Sequence, residues 1–282
     1  MALSGTRMSW LRCKRSLGRK ILLTTNTHRC ASNDSTVDQK EVEFFGSIGN
    51  VEGWWKEPNV LLSMNQTRVP LIRDALTQQQ FTNVDQHPTS CRTLKGKSIV
   101  DVGCGGGILS EALVRLGASV TGIDATKDMI EAAKLHASHD PALNERLRYL
   151  NVTSSDLVKV EAESFDGVVA TEVIEHVSDV ESFVTDCIQL AKPGGSIFIT
   201  TINQTWAAYM IAIVLAERLG PVPIGTHQYE KFVKPEILKS IFQKNECSVK
   251  LIQGQMYNVF TNKWSWASDL SVFYAIHAVK GS

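Results

Sequence analysis

The chain has little cysteine and no regular use of it. Six cysteines in 282 residues form neither a C-x-x-C pair nor any paired spacing, so no disulfide framework can be read and a reducing compartment is implied. Internal repeats are absent, which excludes a solenoid. Net charge is absent too, with 29 Lys/Arg against 29 Asp/Glu, but the balance hides a split. The first 33 residues hold no acid and seven bases (Arg7, Arg12, Lys14, Arg15, Arg19, Lys20 and Arg29), leaving 22 bases against 29 acids in the remainder. The body is therefore acidic, which speaks against nucleic acid as a partner. That basic, Ser/Thr-containing N-terminus carries scattered Trp10, Leu11, Leu17, Ile21 and Leu22 rather than the continuous apolar core of a secretory signal, and it reads as an import signal for mitochondria over residues 1–33. The apolar, charge-free segment Trp206–Ala216 falls short of the roughly 20 residues needed to span a bilayer.

What is present is concentrated at one loop. Asp101-Val102-Gly103-Cys104-Gly105-Gly106-Gly107 follows an apolar, strand-like run and opens a helix. Glycines there let backbone approach a ligand with no Cβ between, while amides and a helix N-terminus point at it. A dinucleotide loop wants G-x-G-x-x-G; Gly103 and Gly105 fit, but the third position is Ile108. The extra glycine and the acidic Asp101 suit an S-adenosylmethionine loop better. Cys104 within it needs no redox role. A second apolar run, Ala118 to Ile123, ends on Asp124, about twenty residues after the loop, where one carboxylate can accept both hydroxyls of a ribose or else cap the Thr126–Ala137 helix. Further strands are predicted at Phe165–Ala170 and Ser196–Thr201, with a helix over Val180–Leu190 and a turn at Lys192–Gly195. The alternation predicts a doubly wound, mostly parallel α/β sheet with its ligand at the carboxyl ends of the strands. Residues 34–282 are expected to be a single domain, with a polar stretch at Thr82–Arg92.

Glu172-Val173-Ile174-Glu175-His176 is the second constellation. If helical, Glu172, Glu175 and His176 share a face at i, i+3 and i+4, and two carboxylates with an imidazole suit Mg²⁺, Mn²⁺ or Zn²⁺. The alternatives are a metal-free segment that shapes the cofactor pocket, or His176 as a general base, its ordinary pKa of about 6.5 being suited to that work. On a helix, Trp206, Tyr209, Met210, Ile213 and Val214 share one face, compatible with a core helix, a lid over an apolar substrate, or an anchor lying in a membrane surface.

Trp54-Trp55, then Ser63-Met64-Asn65 with Arg68, then VDVGCGGGILSEALVRLGASVTGID, ATEVIEHV, KPGGSIFITTIN, Gly225-Thr226-His227 and Tyr274-Ala275-Ile276-His277-Ala278 together resemble the ubiquinone-biosynthesis O-methyltransferases over residues 40–280. The resemblance implies a Rossmann-like class I fold with an N-terminal helical segment and a helical insertion after strand five. It implies methyl transfer from S-adenosylmethionine to a catechol hydroxyl of 3,4-dihydroxy-5-polyprenylbenzoate and of 3-demethylubiquinol. It further implies a peripheral position on the matrix side of the inner mitochondrial membrane and partners in a coenzyme Q synthesis complex. Cofactor residues carried over are Arg68, Gly103, Gly105, Asp124 and Thr171; metal residues are Glu172, Glu175 and His176, for Mg²⁺ in the first place. Without a metal, His176 or His227 must take the catechol proton. Another small-molecule methyltransferase, or a non-catalytic subunit of a biosynthetic complex, would keep the same loop.

Overall fold

The computed structural model describes residues 36–48, 55, 59–77, 94–217, 223 and 225–282. Residues 1–33, expected to be an import signal, Trp54 and the 82–92 stretch lie outside them. Eight strands form one sheet: β1 (Ser98–Val102), β2 (Ser119–Ile123), β3 (Leu147–Leu150), β4 (Phe165–Thr171), β5 (Ala191–Ile202), β6 (Ser248–Asn258), β7 (Lys263–Ala267) and β8 (Phe273–Val279). Their order is β3-β2-β1-β4-β5-β8-β6-β7, parallel from β3 to β5 and antiparallel from β8 outward. The order reverses between β2 and β4 on either side of β1, which opens a crevice at the carboxyl ends of β1 and β4.

Helices cover both faces, and that is why the central strands are apolar throughout. On one face Val100, Val102, Val168, Ala170, Ile197 and Ile199 pack with α5 (Ser154–Glu161), α6 (Val180–Leu190) and α7 (Pro235–Lys244) through Leu157, Phe183, Val184, Leu238 and Phe242. On the other, Ile99, Val169 and Phe198 meet α2 (Val60–Leu76), α3 (Ile108–Arg115) and α4 (Lys127–Ala137) through Leu71, Ile72, Leu113 and Ile130. Adjacent strand residues fall on opposite faces, so each strand feeds both cores. An N-terminal helix, α1 (Gln39–Ile48), precedes these elements.

Two local expectations are corrected. Lys192–Gly195 is not a separate turn before the strand but an outward bulge within β5: Ala191 pairs with Phe165, pairing resumes at Ser196 with Gly167, and Gly194 at φ 73 lets the chain double back. After β5, Trp206–Ala208 is a helical turn that continues with π-type bonding over Tyr209–Glu217. This wider winding moves the faces. Ala208, Ala212 and Glu217 are buried, while Trp206, at 74 % exposure, Ile211 and Leu215 look outward, so the stripe expected from α-helical spacing does not form.

Between β6 and β7 a hairpin presents Val259 and Phe260, the latter 96 % exposed. At its base Gly254 leaves no room for a side chain, since a Cβ built there would lie 1.8 Å from the Asp269 carbonyl oxygen and 3.1 Å from that of Ala267. Backbone on both sides cannot yield cheaply. Gly254→Ala is expected to destabilise the fold by about 1–3 kcal/mol, lowering the urea midpoint with little change in slope; an unaltered midpoint would contradict this packing.

Candidate active site

The glycine loop leaves β1 tied by its first amides to the end of β2. Gly103 and Cys104 donate their amides to the Ile123 carbonyl at 2.8 and 3.0 Å, and Gly105 donates to Asp124 Oδ2 at 3.0 Å. Gly103 adopts φ 71, and a Cβ there would strike Val173 Cγ2 at 2.4 Å, so this position joins the loop to the turn after β4. Gly107, at φ 84, starts α3 with no side-chain cap and leaves the first amides of that helix for another acceptor. Asp124 Oδ1 accepts from the Thr126 amide at 2.7 Å. The Thr126 hydroxyl bonds the carboxylate as well, and the acceptor capacity left on it suits a diol. Burial raises the Asp124 pKa, opposed by these amide hydrogen bonds. Beneath the loop Asp101 is buried, its Oδ2 accepting from Ser110 Oγ at 2.6 Å; burial lifts it to about 6 against the pull of Ser110 and Arg68.

Arg68 reaches the same crevice from α2. Its Nη2 lies 3.0 Å from Glu172 Oε1 and 3.0 Å from Met64 Sδ, while Nε is buried without a partner. Burial pulls its pKa down, countered by Glu172. A desolvated guanidinium with a donor to spare is a receptor for a carboxylate. The loop, Asp124 and Arg68 thus fit a ligand with a carboxylate at one end and a vicinal diol at the other, as S-adenosylmethionine has. Thr171 closes β4 opposite Thr200, half-buried.

The segment after β4 departs from the helical expectation. Glu172 sits at φ 54 and only Ile174–His176 form a 3₁₀ turn, so Glu172, Glu175 and His176 do not share a helix face. Thr200 Oγ1 donates to Glu172 Oε1 at 2.7 Å and Thr201 Oγ1 to Glu175 Oε2 at 2.8 Å. His176 Nδ1 lies 3.1 Å from Glu41 Oε2 on α1. Among the described residues no group of three or more His, Cys, Asp or Glu side chains stands where an ion could be held. The chemistry of the donors nevertheless suits a cation: Glu175 Oε1 is buried without a partner, and burial, together with the charge of Glu172, pushes Glu175 to about 7.

Two imidazoles face each other here, His176 and His227, with ring centroids 6.4 Å apart. Both present Nδ1 to a carboxylate, Glu41 for His176 and Glu217 Oε1, at 2.9 Å, for His227. Burial lowers His176, but Glu41 and Glu175 carry it above its ordinary value; for His227 burial wins and the pKa falls. Glu41 also accepts from Gln228 Nε2 and Lys231 Nζ, at 3.1 and 2.8 Å, which fixes α1 across the site. Neither Glu41 nor Glu217 stands out by motif. Glu217 had one visible signal, as the first charge after an uncharged run.

A family pattern described as "Methyltransferase domain" matches residues 100–199. The chain is 44 % identical to the mitochondrial ubiquinone biosynthesis O-methyltransferase of Rattus norvegicus, over 98 % of this chain and 81 % of that one. It is 46 % identical to the Homo sapiens protein of the same description, covering 89 % of this chain and 67 % of the other, and 38 % identical to the ubiquinone biosynthesis O-methyltransferase of Pelagibacter ubique, covering 87 % and 99 %. The fold is similar to that of magnesium protoporphyrin IX methyltransferase from Synechocystis PCC 6803 with bound SAM, at a TM-score of 0.56 and 17 % identity over 89 % of this chain and all of the other.

Two outcomes follow from the geometry. Asp124→Ala is expected to weaken S-adenosylmethionine binding by roughly ten- to a hundredfold in calorimetry, the loss of one or more charge-assisted hydrogen bonds; undiminished affinity would remove the cofactor from this strand end. Asp101 sets a pH signature. Its folded pKa, about 6, exceeds the ordinary 3.8, so the native state binds more protons between about pH 4 and 6 and this group's contribution to stability falls as pH rises through that window. Asp101→Asn should therefore gain stability relative to the parent between pH 4 and 7, by on the order of 2 kcal/mol, read from urea midpoints at several pH values. A difference that does not vary with pH would mean Asp101 ionises normally.

Proposed function

The chain belongs to the ubiquinone biosynthesis O-methyltransferase family, and we propose that it methylates a catechol hydroxyl of 3,4-dihydroxy-5-polyprenylbenzoate and of 3-demethylubiquinol at the crevice beyond β1, β4 and β5. The observation that carries this reading is the facing pair His176 and His227, each tied to a carboxylate, at the same sheet edge as Arg68 and Asp124. A reaction at a phenolic oxygen needs a proton acceptor beside the methyl donor.

Bound S-adenosylmethionine supplies a methyl group already activated on a sulfonium. The chain binds and orients. Arg68 grips the carboxylate end, Asp124 accepts the ribose hydroxyls, Gly103 and Gly105 let backbone come close, and Thr171 lines the pocket through its backbone. His227, whose Nδ1–H donates to Glu217, keeps Nε2 free to take the hydroxyl proton as the oxygen–carbon bond forms; His176 is the alternative base. Glu172, Glu175 and His176 would hold a divalent ion, Mg²⁺ in the first place with Zn²⁺ or Mn²⁺ next, and such an ion would lower the pKa of the catechol hydroxyl. The unpartnered, buried Glu175 Oε1 supports that second role.

The substrate's tail is lipid-like, and the exposed apolar side chains support a peripheral contact with the matrix face of the inner mitochondrial membrane. Trp206, Ile211 and Leu215 look outward just beyond the carboxyl end of β5. Ile202 pairs with Phe273, and Phe273 with Gln255, so the hairpin bearing Met256, Val259 and Phe260 projects from the same edge. Among the described residues no helix is long and apolar enough to cross a membrane. Residues 1–33 serve as the import signal, residues 34–282 form the enzyme domain, and other coenzyme Q synthesis proteins are its partners.

The full chain incubated with S-adenosylmethionine and a prenylated dihydroxybenzoate should yield the mono-methyl ether by mass spectrometry. Cofactor binding without product would sink the substrate reading and favour a non-catalytic subunit. A chelator arm decides the ion: arrested turnover restored by Mg²⁺ supports it, whereas undiminished turnover removes it and leaves the histidines. In co-sedimentation with cardiolipin-containing vesicles, Trp206→Glu with Leu215→Glu should lower the bound fraction; equal partition would mean the apolar edge serves something else.

A further inference from the structure

Glu217 follows the eleven-residue apolar run Trp206–Ala216, yet it does not turn to solvent. It is buried, and all of its described hydrogen bonds go to one short loop. Oε2 accepts the Gly225 amide at 2.7 Å; Oε1 accepts the His227 amide at 2.7 Å and His227 Nδ1 at 2.9 Å. Gly225 stands at φ 90 with nothing within 4 Å of a built Cβ, so glycine is needed there for backbone conformation and not for space. With two amides of residues 225 and 227 closing on one carboxylate, the loop is an anion nest whose anion is a side chain of the protein itself. Thr226 completes the turn, its hydroxyl donating to the Pro223 carbonyl at 2.7 Å.

We propose that Glu217 is a positioning residue for the methyl transfer, fixing His227 in the Nδ1–H tautomer and holding its ring so that Nε2 is the free, proton-accepting nitrogen at the crevice. Both Glu217 oxygens already accept backbone amides, so the ring nitrogen 2.9 Å from Oε1 is placed to donate as well, and the neutral ring then has its lone pair at Nε2. In the transfer itself the catechol O–H bond breaks with its proton going to Nε2, the oxygen forms the bond to the methyl carbon, and the methyl–sulfur bond breaks with its electron pair left on sulfur. Glu217 touches none of the reacting atoms. It also ties the base to the segment Trp206–Glu217 that carries Trp206, Ile211 and Leu215, so the outward apolar face and the proton acceptor belong to one covalent and hydrogen-bonded unit. The inference rests on His227 being the base.

The test uses the full chain with labelled histidine. Long-range ¹H–¹⁵N spectra at mildly alkaline pH should show His227 as the Nδ1–H tautomer in the parent protein. In Glu217→Gln the amide cannot accept at both ends, and the expected result is loss of that single tautomer with a roughly ten- to hundredfold fall in kcat, while S-adenosylmethionine affinity and the KM for a prenylated dihydroxybenzoate stay within about twofold. An Nε2–H ring in the parent, an unchanged tautomer in the variant, or an unchanged kcat overturns the proposal. Should Glu217→Gln fail to bind cofactor, Glu217→Asp, which withdraws the charge by one methylene, is judged by the same criteria. His227→Ala separates the two levels. If it is inactive while Glu217→Gln is fully active, only the positioning role falls; if it turns over normally, the base assignment falls and this inference with it.

Discussion

The pair between Arg68 and Glu172 is the constraint around which the crevice is organised. Arg68 comes from α2, ahead of the sheet in the chain, and is buried, while Glu172 comes from the turn after β4 and is largely shielded from water. Taking two charges out of solvent is costly, and a single 3.0 Å contact offsets it only with further hydrogen bonds. Thr200 supplies one to Glu172, and that threonine also receives the Glu172 amide on its carbonyl at 2.9 Å. These contacts help hold Glu172 at φ 54, a conformation that costs a non-glycine residue about 1–3 kcal/mol. The guanidinium remains under-satisfied at Nε, so the crevice is biased toward a second anion at that point. Any divalent ion would have to compete with Arg68 for Glu172.

The same turn sets the loop on the other side. Val173 follows Glu172 and fills the space where a Cβ on Gly103 would sit. The cofactor loop and the turn bearing Glu175 and His176 are therefore packed as one body, and a shift in either is felt by the other. Asp124 then draws the loop toward β2 through the Gly105 amide. Strand ends, glycine positions and the buried pair fix one another.

The sheet, the loop and Asp124 were legible because each is a local signal: apolar runs of strand length, glycines at set spacing, an acid at a strand end. Whether Glu172–His176 is helical stays open in the sequence, since residue spacing carries no information on a positive φ held by tertiary bonds to Thr200 and Arg68. The outward face at Trp206 was misplaced for a related reason. Helical periodicity assumes 3.6 residues per turn, and π bonding over Tyr209–Glu217 shifts every side chain beyond the first turn. Glu41 and Glu217 were invisible as partners because the histidines they meet lie far away in sequence or across a loop, and no motif joins them. Resemblance supplied Arg68, which by its position on an N-terminal helix reads as an ordinary surface base.

Charge explains why such a site needs a local base. Asp101, Asp124, Glu41, Glu172, Glu175 and Glu217 surround the crevice, against Arg68 and Lys231, and burial pushes Asp101 and Glu175 toward neutrality without removing the negative field. A sulfonium cation is drawn into such surroundings, and its neutral product is held less strongly. An oxyanion nucleophile would be repelled, because a second anion in a desolvated acidic crevice has its ionisation disfavoured by the same interactions that raise Glu175. In the absence of a bound cation the nucleophile therefore enters as a neutral hydroxyl and loses its proton only when the methyl group is in line. That ordering places the demand on a nitrogen within the crevice, and the His227 ring, whose pKa burial lowers, answers it better than His176, which Glu41 and Glu175 hold above its ordinary value.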